Sequence, residues 1–447
     1  MQSMLPQKSL RASDLHVRTL GARTFPSPLG LSTVRGDEVA DYVPDDARIT
    51  WQIETRAGAR LETPILFEKA GPRETIFFDP KDTRVGIVTC GGLCPGINNV
   101  IRSIVLELTH KYRVQSVLGF RYGYRGLDPA AGTPPVQLTP AEVLHVHRQG
   151  GSFLGLSRGK RDAATMVDTL ERHGIDILFT IGGDGTLRGA HALHEEIAQR
   201  GKRIAVIGVP KTIDNDIEFV DKTFGYETAV EVARLAVDAA HTEALGALNG
   251  VGVVKLMGRD AGFIAAAAAL ASHDVNYCLI PEVGFDLEGP SGLFASLERR
   301  LAERGHAVIV VAEGCGASLL REGAELDASG NLRFSSSGLD IGPHLRDAVT
   351  KYLADRQIES TVKYIDPSYM IRSVPANAHD SIFCDSLARN AVHAGMAGKT
   401  DIVIGRIHRV FTHLPIPVAV GQKKRVNPDG ALWLAVTETT GQPRLRP

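Results

Sequence analysis

From Arg84 onward the chain repeats one pattern, and that pattern leaves few folds open to it. Short β-branched runs, "RVGIVT", "VQSVLGF", "IDILFTIGG", "RIAVIGVP", "GVGVVKLMG", "NYCLIPE" and "HAVIVVAEG", alternate with longer helix-period segments such as "NNVIRSIVLELTHKY" and "TAVEVARLAVDAAHTEA". The alternation argues mainly parallel sheets with helical crossovers, repeated in two halves. With 447 residues the chain is too long for one ordinary core. The expected fold class is therefore α/β: two Rossmann-like domains with mainly parallel sheets and helices on both faces, plus an N-terminal extension over residues 1–80. That extension is polar, punctuated by proline and weakly periodic, and it reads as a segment that wraps a neighbouring domain.

In an open α/β sheet, ligands bind in the solvated crevice beyond the carboxyl ends of the strands. Several runs stop there at Gly, Asp, Glu, Arg or Lys: "CGGLCPG", "GGDGT", "PKTIDND", "LMGRD" and "AEG". The 50 basic and 51 acidic residues show no long run of one sign, which implies no nucleic-acid or membrane field. Five scattered cysteines, Cys90, Cys94, Cys278, Cys315 and Cys384, do not resemble a disulfide framework. No second pair or histidine cluster completes a zinc site around Cys90 and Cys94. The first twenty residues lack a continuous apolar region, and "AGFIAAAAALA" is too short and alanine-rich to span a bilayer. The expected location is the cytoplasm.

Three of the strand ends carry chemistry. In "TCGGLCPGINN", Gly91, Gly92 and Gly96 give a turn whose amides can approach phosphate, although "VQSVLGF" ends without the acidic residue that a dinucleotide fingerprint wants. In "FTIGGDGTLRGA", Gly182, Gly183 and Gly185 bracket one carboxylate, Asp184. The glycines leave room for a polyphosphate, and Asp184 can hold Mg²⁺ directly or through water. Taken alone, this motif suits kinases acting on lipids and on NAD equally well, and a simple Gly-Asp-Gly turn is its bland alternative. In "VPKTIDNDIEF", Lys211, Asp214 and Asp216 follow a strand directly. Turn and N-cap roles are the bland reading of Thr212, Asp214 and Asp216.

The order of "PKTIDND", "FGYETAV", "KLMGRDAGFIA", "AEG" and "DPSYMIR" resembles the 6-phosphofructokinase family over roughly residues 60–440. The flanking "ETPILFEKAGPRETIFFDP", "FTHLPIPVAV" and "ALWLAVTETTGQP" look like the ATP-dependent branch found in plants and trypanosomatids. The resemblance implies a phosphate-donor domain over residues 81–225, a fructose 6-phosphate domain over 226–400, and a segment over 401–447 that packs back on both. It implies that Asp214 is the general base, taking the proton of the sugar's C1 hydroxyl, while Asp216 orients the loop or assists the metal. Gly91, Arg158, Gly159, Gly183, Asp184, Gly185 and Thr186 match the ATP site, with Asp184 at the Mg²⁺ position. Thr212, Ile213, Asp214, Met257, Gly258 and Arg259 match sugar-phosphate contacts. Arg259 and Lys211 also lie where charge on the transferred phosphoryl would be stabilised. Glu313 suits the sugar hydroxyls, and Lys363, Tyr369 and Arg372 suit the 6-phosphate.

Two departures from the short bacterial relatives qualify the resemblance. Gly250 stands where those enzymes place an arginine that reaches a neighbouring subunit's substrate. Lys211 is typical of pyrophosphate-dependent relatives, whereas Gly185 is typical of enzymes that use ATP. An aspartate at 185 would fill the space of the nucleotide's α-phosphate, so the pair implies ATP as donor. Pyrophosphate use and a non-catalytic regulatory paralogue are the alternatives. Closed symmetry and the resemblance imply a homo-oligomer, with a tetramer favoured.

Overall fold

A computed structural model describes residues 10–54, 64–315 and 340–446, together with the short strands Glu325–Leu326 and Leu332–Arg333. Residues 1–9 and 55–63 of the expected extension lie outside the described residues. Among the described residues, two large sheets carry the fold. The first has nine strands in the order Arg48–Thr50, Leu66–Lys69, Val410–Pro415, Ile402–Ile407, Ala205–Pro210, Ile177–Gly182, Arg84–Thr89, Ser116–Phe120 and Val136–Gln137. Its five central strands, from Ile402–Ile407 to Ser116–Phe120, run parallel, and the flanking strands are antiparallel. The second sheet has four parallel strands in the order Tyr277–Leu279, His306–Ala312, Gly250–Leu256 and Thr361–Ile365.

The pleat sorts each central strand into two cores. Ile177, Phe179 and Ile181 join Ile207, Val209 and Ile402 beneath the helices Ile97–Leu106 and Ala378–Met396. The intervening Leu178, Val206 and Val403 join the opposite core, under the helices Ala163–Arg172 and Asp184–Gln199. A strand covered on both faces has no side that can be polar, which is why these runs are continuously apolar. Each fully buried Ile, Val or Phe contributes about 1.5–3 kcal/mol relative to exposure. The second sheet repeats the arrangement. Val254, Leu256, Val308 and Val310 face the helices Tyr226–Leu245 and Phe263–Ser272, while Val251, Val253, Ile309 and Val311 face Leu293–Arg304 and Ile341–Asp355. The alanine run of Phe263–Ser272 is thus a buried helix packed on Tyr226–Leu245, and no helix among the described residues is long and apolar enough to cross a membrane. The architecture is the α/β fold expected, with helices on both faces of mainly parallel sheets.

The N-terminal segment adds its strands Arg48–Thr50 and Leu66–Lys69 to the edge of the first sheet. Glu68 anchors it. This buried carboxylate accepts from Arg73 at 3.1 Å, Lys399 at 2.8 Å and His413 Nδ1 at 2.9 Å. Burial holds the His413 ring down to about 4, so the ring is neutral near pH 7 and Nδ1–H is the donor to the carboxylate.

Candidate active site

The strand Arg84–Thr89 runs into the turn Cys90–Gly92, where Gly91 takes a φ of +89° that side-chain-bearing residues rarely adopt. The Gly91 N–H donates to the Ser157 carbonyl at 3.0 Å and draws in the loop carrying Arg158 and Gly159. Arg158 Nη2 lies 3.2 Å from where a Cβ on Gly92 would stand. Lys211 follows the strand Ala205–Pro210. Its side chain is buried, and Nζ donates to the Gly92 carbonyl at 2.7 Å. Burial pulls its ammonium below the usual lysine value; the same burial pushes the neighbouring Cys90 thiol up to about 12, so that thiol stays neutral beside it.

The strand Ile177–Gly182 leads through Gly183 into the helix Asp184–Gln199, whose open N-terminal amides and dipole favour an anion. Asp184 opens this helix. Arg188, one turn on, donates to its Oδ2 at 3.1 Å and to the Val420 carbonyl at 2.6 Å. Such a half-exposed i,i+4 pair stabilises by only about 0.5 kcal/mol, so its effect is to orient the carboxylate. Thr186 is buried, packed back on Gly182, where a Cβ would stand 2.1 Å from its Oγ1. A Cβ at Gly185 meets nothing within 4 Å among the described residues.

The "TIDND" loop is held from within. Thr212 Oγ1 donates to Asp216 Oδ1 at 2.9 Å and accepts from the Asp214 N–H at 3.2 Å. Ile213 is buried in the main core, and Asn215, at a φ of +55°, accepts the Thr223 N–H at 3.1 Å. Asp214 Oδ1 is buried and has no hydrogen-bond partner among the described residues. Burial, then Asp216 and Glu313 beside it, push this carboxyl well above the ordinary range, while Lys423 and Arg259 pull the other way. A buried acceptor left unsatisfied costs free energy, and a group that needs that lone pair for chemistry is one reason to keep it so.

The second sheet supplies the facing residues. Strand Gly250–Leu256 ends at Met257, which packs on the main core, and at Gly258, where a Cβ would stand 2.6 Å from the Ala261 carbonyl. Arg259 Nε lies 3.9 Å from Glu313 Oε1, and the Glu313 N–H donates to the Leu256 carbonyl at 2.8 Å. Burial raises the Glu313 pKa, opposed chiefly by Arg259 and Lys255 and also by Arg372. Arg372 lies over the Tyr369 ring at 4.7 Å in the short helix Ser368–Ser373, where Tyr369 is 77% exposed.

The structure therefore brings Gly91, Arg158, Lys211 and the residues Gly183, Asp184, Gly185 and Thr186 to one set of strand ends. Thr212, Ile213, Asp214, Met257, Gly258, Arg259, Glu313 and Arg372 gather against them. Lys363 stands apart. It pairs in register with Gly252, four residues before the carboxyl end of its neighbour strand, and its ammonium meets Glu243. At roughly 3.3 Å per residue this is about 13 Å from the edge where the other residues collect.

Two lysines at the site carry no motif. Lys423 Nζ lies 3.5 Å from Asp216 Oδ2 and also pairs with Asp260, and Lys424 Nζ donates to Asn215 Oδ1 at 3.0 Å. Lys424 and Asn215 are 209 positions apart, so no local pattern could have joined them.

Residues 84–395 match the family model described as Phosphofructokinase. The chain is 51% identical over 393 residues to the ATP-dependent 6-phosphofructokinase of Borreliella burgdorferi, covering 86% of this chain and 87% of that protein. It is 45% identical over 437 residues to the ATP-dependent 6-phosphofructokinase of Trypanosoma brucei brucei, covering 97% and 88%. The fold is similar to the crystal structure of a pyrophosphate-dependent phosphofructokinase from Marinobacter aquaeolei, at a TM-score of 0.65 and 20% identity over 82% of this chain and 92% of that one. With a glycine-bracketed aspartate, a buried acidic loop and a facing arginine at the ends of two parallel sheets, and with that family model matched across all three, the chain belongs to the phosphofructokinase family.

Proposed function

We propose that this protein is an ATP-dependent 6-phosphofructokinase, transferring the γ-phosphoryl of ATP to the C1 hydroxyl of fructose 6-phosphate to give fructose 1,6-bisphosphate and ADP. The observation that carries the mechanism is the buried Asp214 Oδ1, without a hydrogen-bond partner among the described residues and coupled electrostatically to Arg259 and Glu313. A sugar hydroxyl donating to that oxygen is activated as its proton leaves. Lys211 and Arg259 face the phosphoryl from two sides and offset its charge. The amides of the Asp184–Gln199 helix start cradle the remaining phosphates, with Gly91, Arg158 and Gly159 closing that side. Glu313 accepts from the sugar hydroxyls, and Tyr369 with Arg372 binds the 6-phosphate. Hard carboxylate oxygen suits Mg²⁺, and Asp184, at the helix start and a third exposed, fits a metal carried in with the nucleotide. When bound, the ion neutralises phosphate charge. Asp184, Asp214 and Arg259 are all present, which favours an enzyme over a regulatory paralogue. A cytoplasmic location fits its soluble substrates.

Kinetics of the purified protein with fructose 6-phosphate test the reading. The kcat/KM for ATP should exceed that for pyrophosphate by at least about tenfold, and chelating divalent cations should abolish ATP turnover. Higher efficiency with pyrophosphate would overturn the donor assignment, and turnover in chelator would overturn the metal.

Lys363 favours a homo-oligomer, with a tetramer as the preferred form. Its place about 13 Å from its own site suits a contact with the sugar phosphate of a second copy. Sedimentation should show a tetramer at micromolar concentration, and Lys363→Met should raise the KM for fructose 6-phosphate several-fold. A monomer of full activity would contradict this.

A further inference from the structure

We infer that Lys423 is a positioning residue for the reaction: reaching in from the chain's last segment, it fixes the loop that bears Asp214, acting through Asp216 and Thr212. The inference rests on reading Asp214 as the base. It goes beyond that reading by assigning a role to a segment that none of the site motifs includes.

The path is short. Lys423 Nζ stands 3.5 Å from Asp216 Oδ2, the other oxygen of that carboxylate accepts from Thr212 Oγ1 at 2.9 Å, and Thr212 Oγ1 accepts the Asp214 N–H at 3.2 Å. Backbone contacts run alongside. Ile217 and Lys423 form an antiparallel bridge, and the Lys424 N–H donates to the Asp216 carbonyl at 3.0 Å. Lys424 then donates from Nζ to Asn215 Oδ1, the Val220 carbonyl at 2.7 Å and the Asp221 carbonyl at 3.1 Å. The loop is thus clasped at Asn215, Asp216 and Ile217, the residues directly after Asp214.

Charge gives the side chain its purpose. Asp214 and Asp216 sit two residues apart, with Glu313 also bearing on Asp214, and like charges so close drive one another outward. Lys423 lies against Asp216 and Asp260 and within electrostatic reach of Asp184. Asp184 has Arg188 as its own partner, while Arg259 and Lys211 bear on Asp214 itself. With its cation removed, Asp216 would swing toward solvent and release Thr212, and Asp214 would lose the bond that sets its backbone. Lys423 also ties two loops together, since Asp260 follows Arg259 directly. A displacement of about 1 Å between base and hydroxyl suffices to cost about a hundredfold in rate.

The test compares wild type, Lys423→Met, Lys423→Arg, Asp216→Asn and the double variant Lys423→Met/Asp216→Asn in kcat, in KM for both substrates and in thermal midpoint. Lys423→Met should lower kcat about 10- to 100-fold with both KM values within about threefold, and arginine should restore kcat to within about fivefold. The double variant should be no worse than the poorer single one by more than about threefold, because both changes cut one path. Unchanged kcat in Lys423→Met would overturn the inference. So would multiplicative losses in the double variant, or a joint loss of kcat and KM that arginine fails to rescue. Should Lys423→Met fail to fold, Asp216→Asn decides instead: near-wild-type kcat there would break the path at its middle. Wild-type activity in the same assay secures the underlying reading, so a silent Lys423→Met counts against this inference alone.

Discussion

Asp214→Asn is expected to lower kcat by at least about a hundredfold while leaving the KM for fructose 6-phosphate and for ATP nearly unchanged. Asparagine keeps the shape of the side chain and its N–H···Oγ1 bond to Thr212, so the loop should hold. What is lost is the acceptor, the buried oxygen that has no partner among the described residues. The same residue should set the acid limb of the wild-type pH profile. Its carboxyl lies well above the ordinary range through burial and through Asp216 and Glu313, and it must be ionised to accept a proton. Activity should therefore fall as pH drops through that raised value, and the asparagine variant should lose this limb while retaining a low, flat rate. Turnover close to wild type would make Asp214 a turn residue and nothing more.

Gly185→Asp is expected to lower kcat/KM for ATP by about two orders of magnitude or more. Among the described residues a Cβ there meets nothing within 4 Å, so the new side chain has room, and an acid in the first turn of a helix suits its dipole. The variant should fold. With ATP bound as proposed, however, its charge would stand where the nucleotide's α-phosphate lies. Two unit charges 4–5 Å apart at an effective dielectric constant of 20 repel by about 3–4 kcal/mol, enough for the stated loss. Pyrophosphate ends short of that point, and Lys211 is already in place, so weak pyrophosphate turnover should emerge. Equal loss for both donors, with a lowered thermal midpoint, would point to damage to the helix start.

The order of strands and loops within each half was legible because parallel strands are buried on both faces and so write continuous apolar runs. The crevice residues were legible for the same reason, since charge and glycine at a strand's end break the run. Long-range registers leave no such local trace. Lys363 matches a motif position for the 6-phosphate, yet its pairing with Gly252 holds it away from its own chain's site. Lys423 and Lys424 read as an ordinary basic pair in "GQKKRV", and only the bridge to Ile217 brings them to the loop. Glu68 reads as a surface acid, and only folding supplies Arg73, Lys399 and His413.

The place of strand Ile402–Ile407 in the first sheet has a consequence for biosynthesis. It lies between Ala205–Pro210 and Val410–Pro415, with Ile207 opposite Ile402 and Gly208 opposite Val403. On the ribosome, Ala205–Pro210 emerges with one edge bare and must wait for almost two hundred further residues, including every strand of the second sheet, before its neighbour exists. At about 5–20 residues per second that interval lasts from about ten to forty seconds. During it the nascent chain offers an unpaired apolar edge, the kind of surface on which chains aggregate and which chaperones cover. The loop that bears Asp214, clasped by Lys423 and Lys424, can be held in place only once those two residues have also emerged.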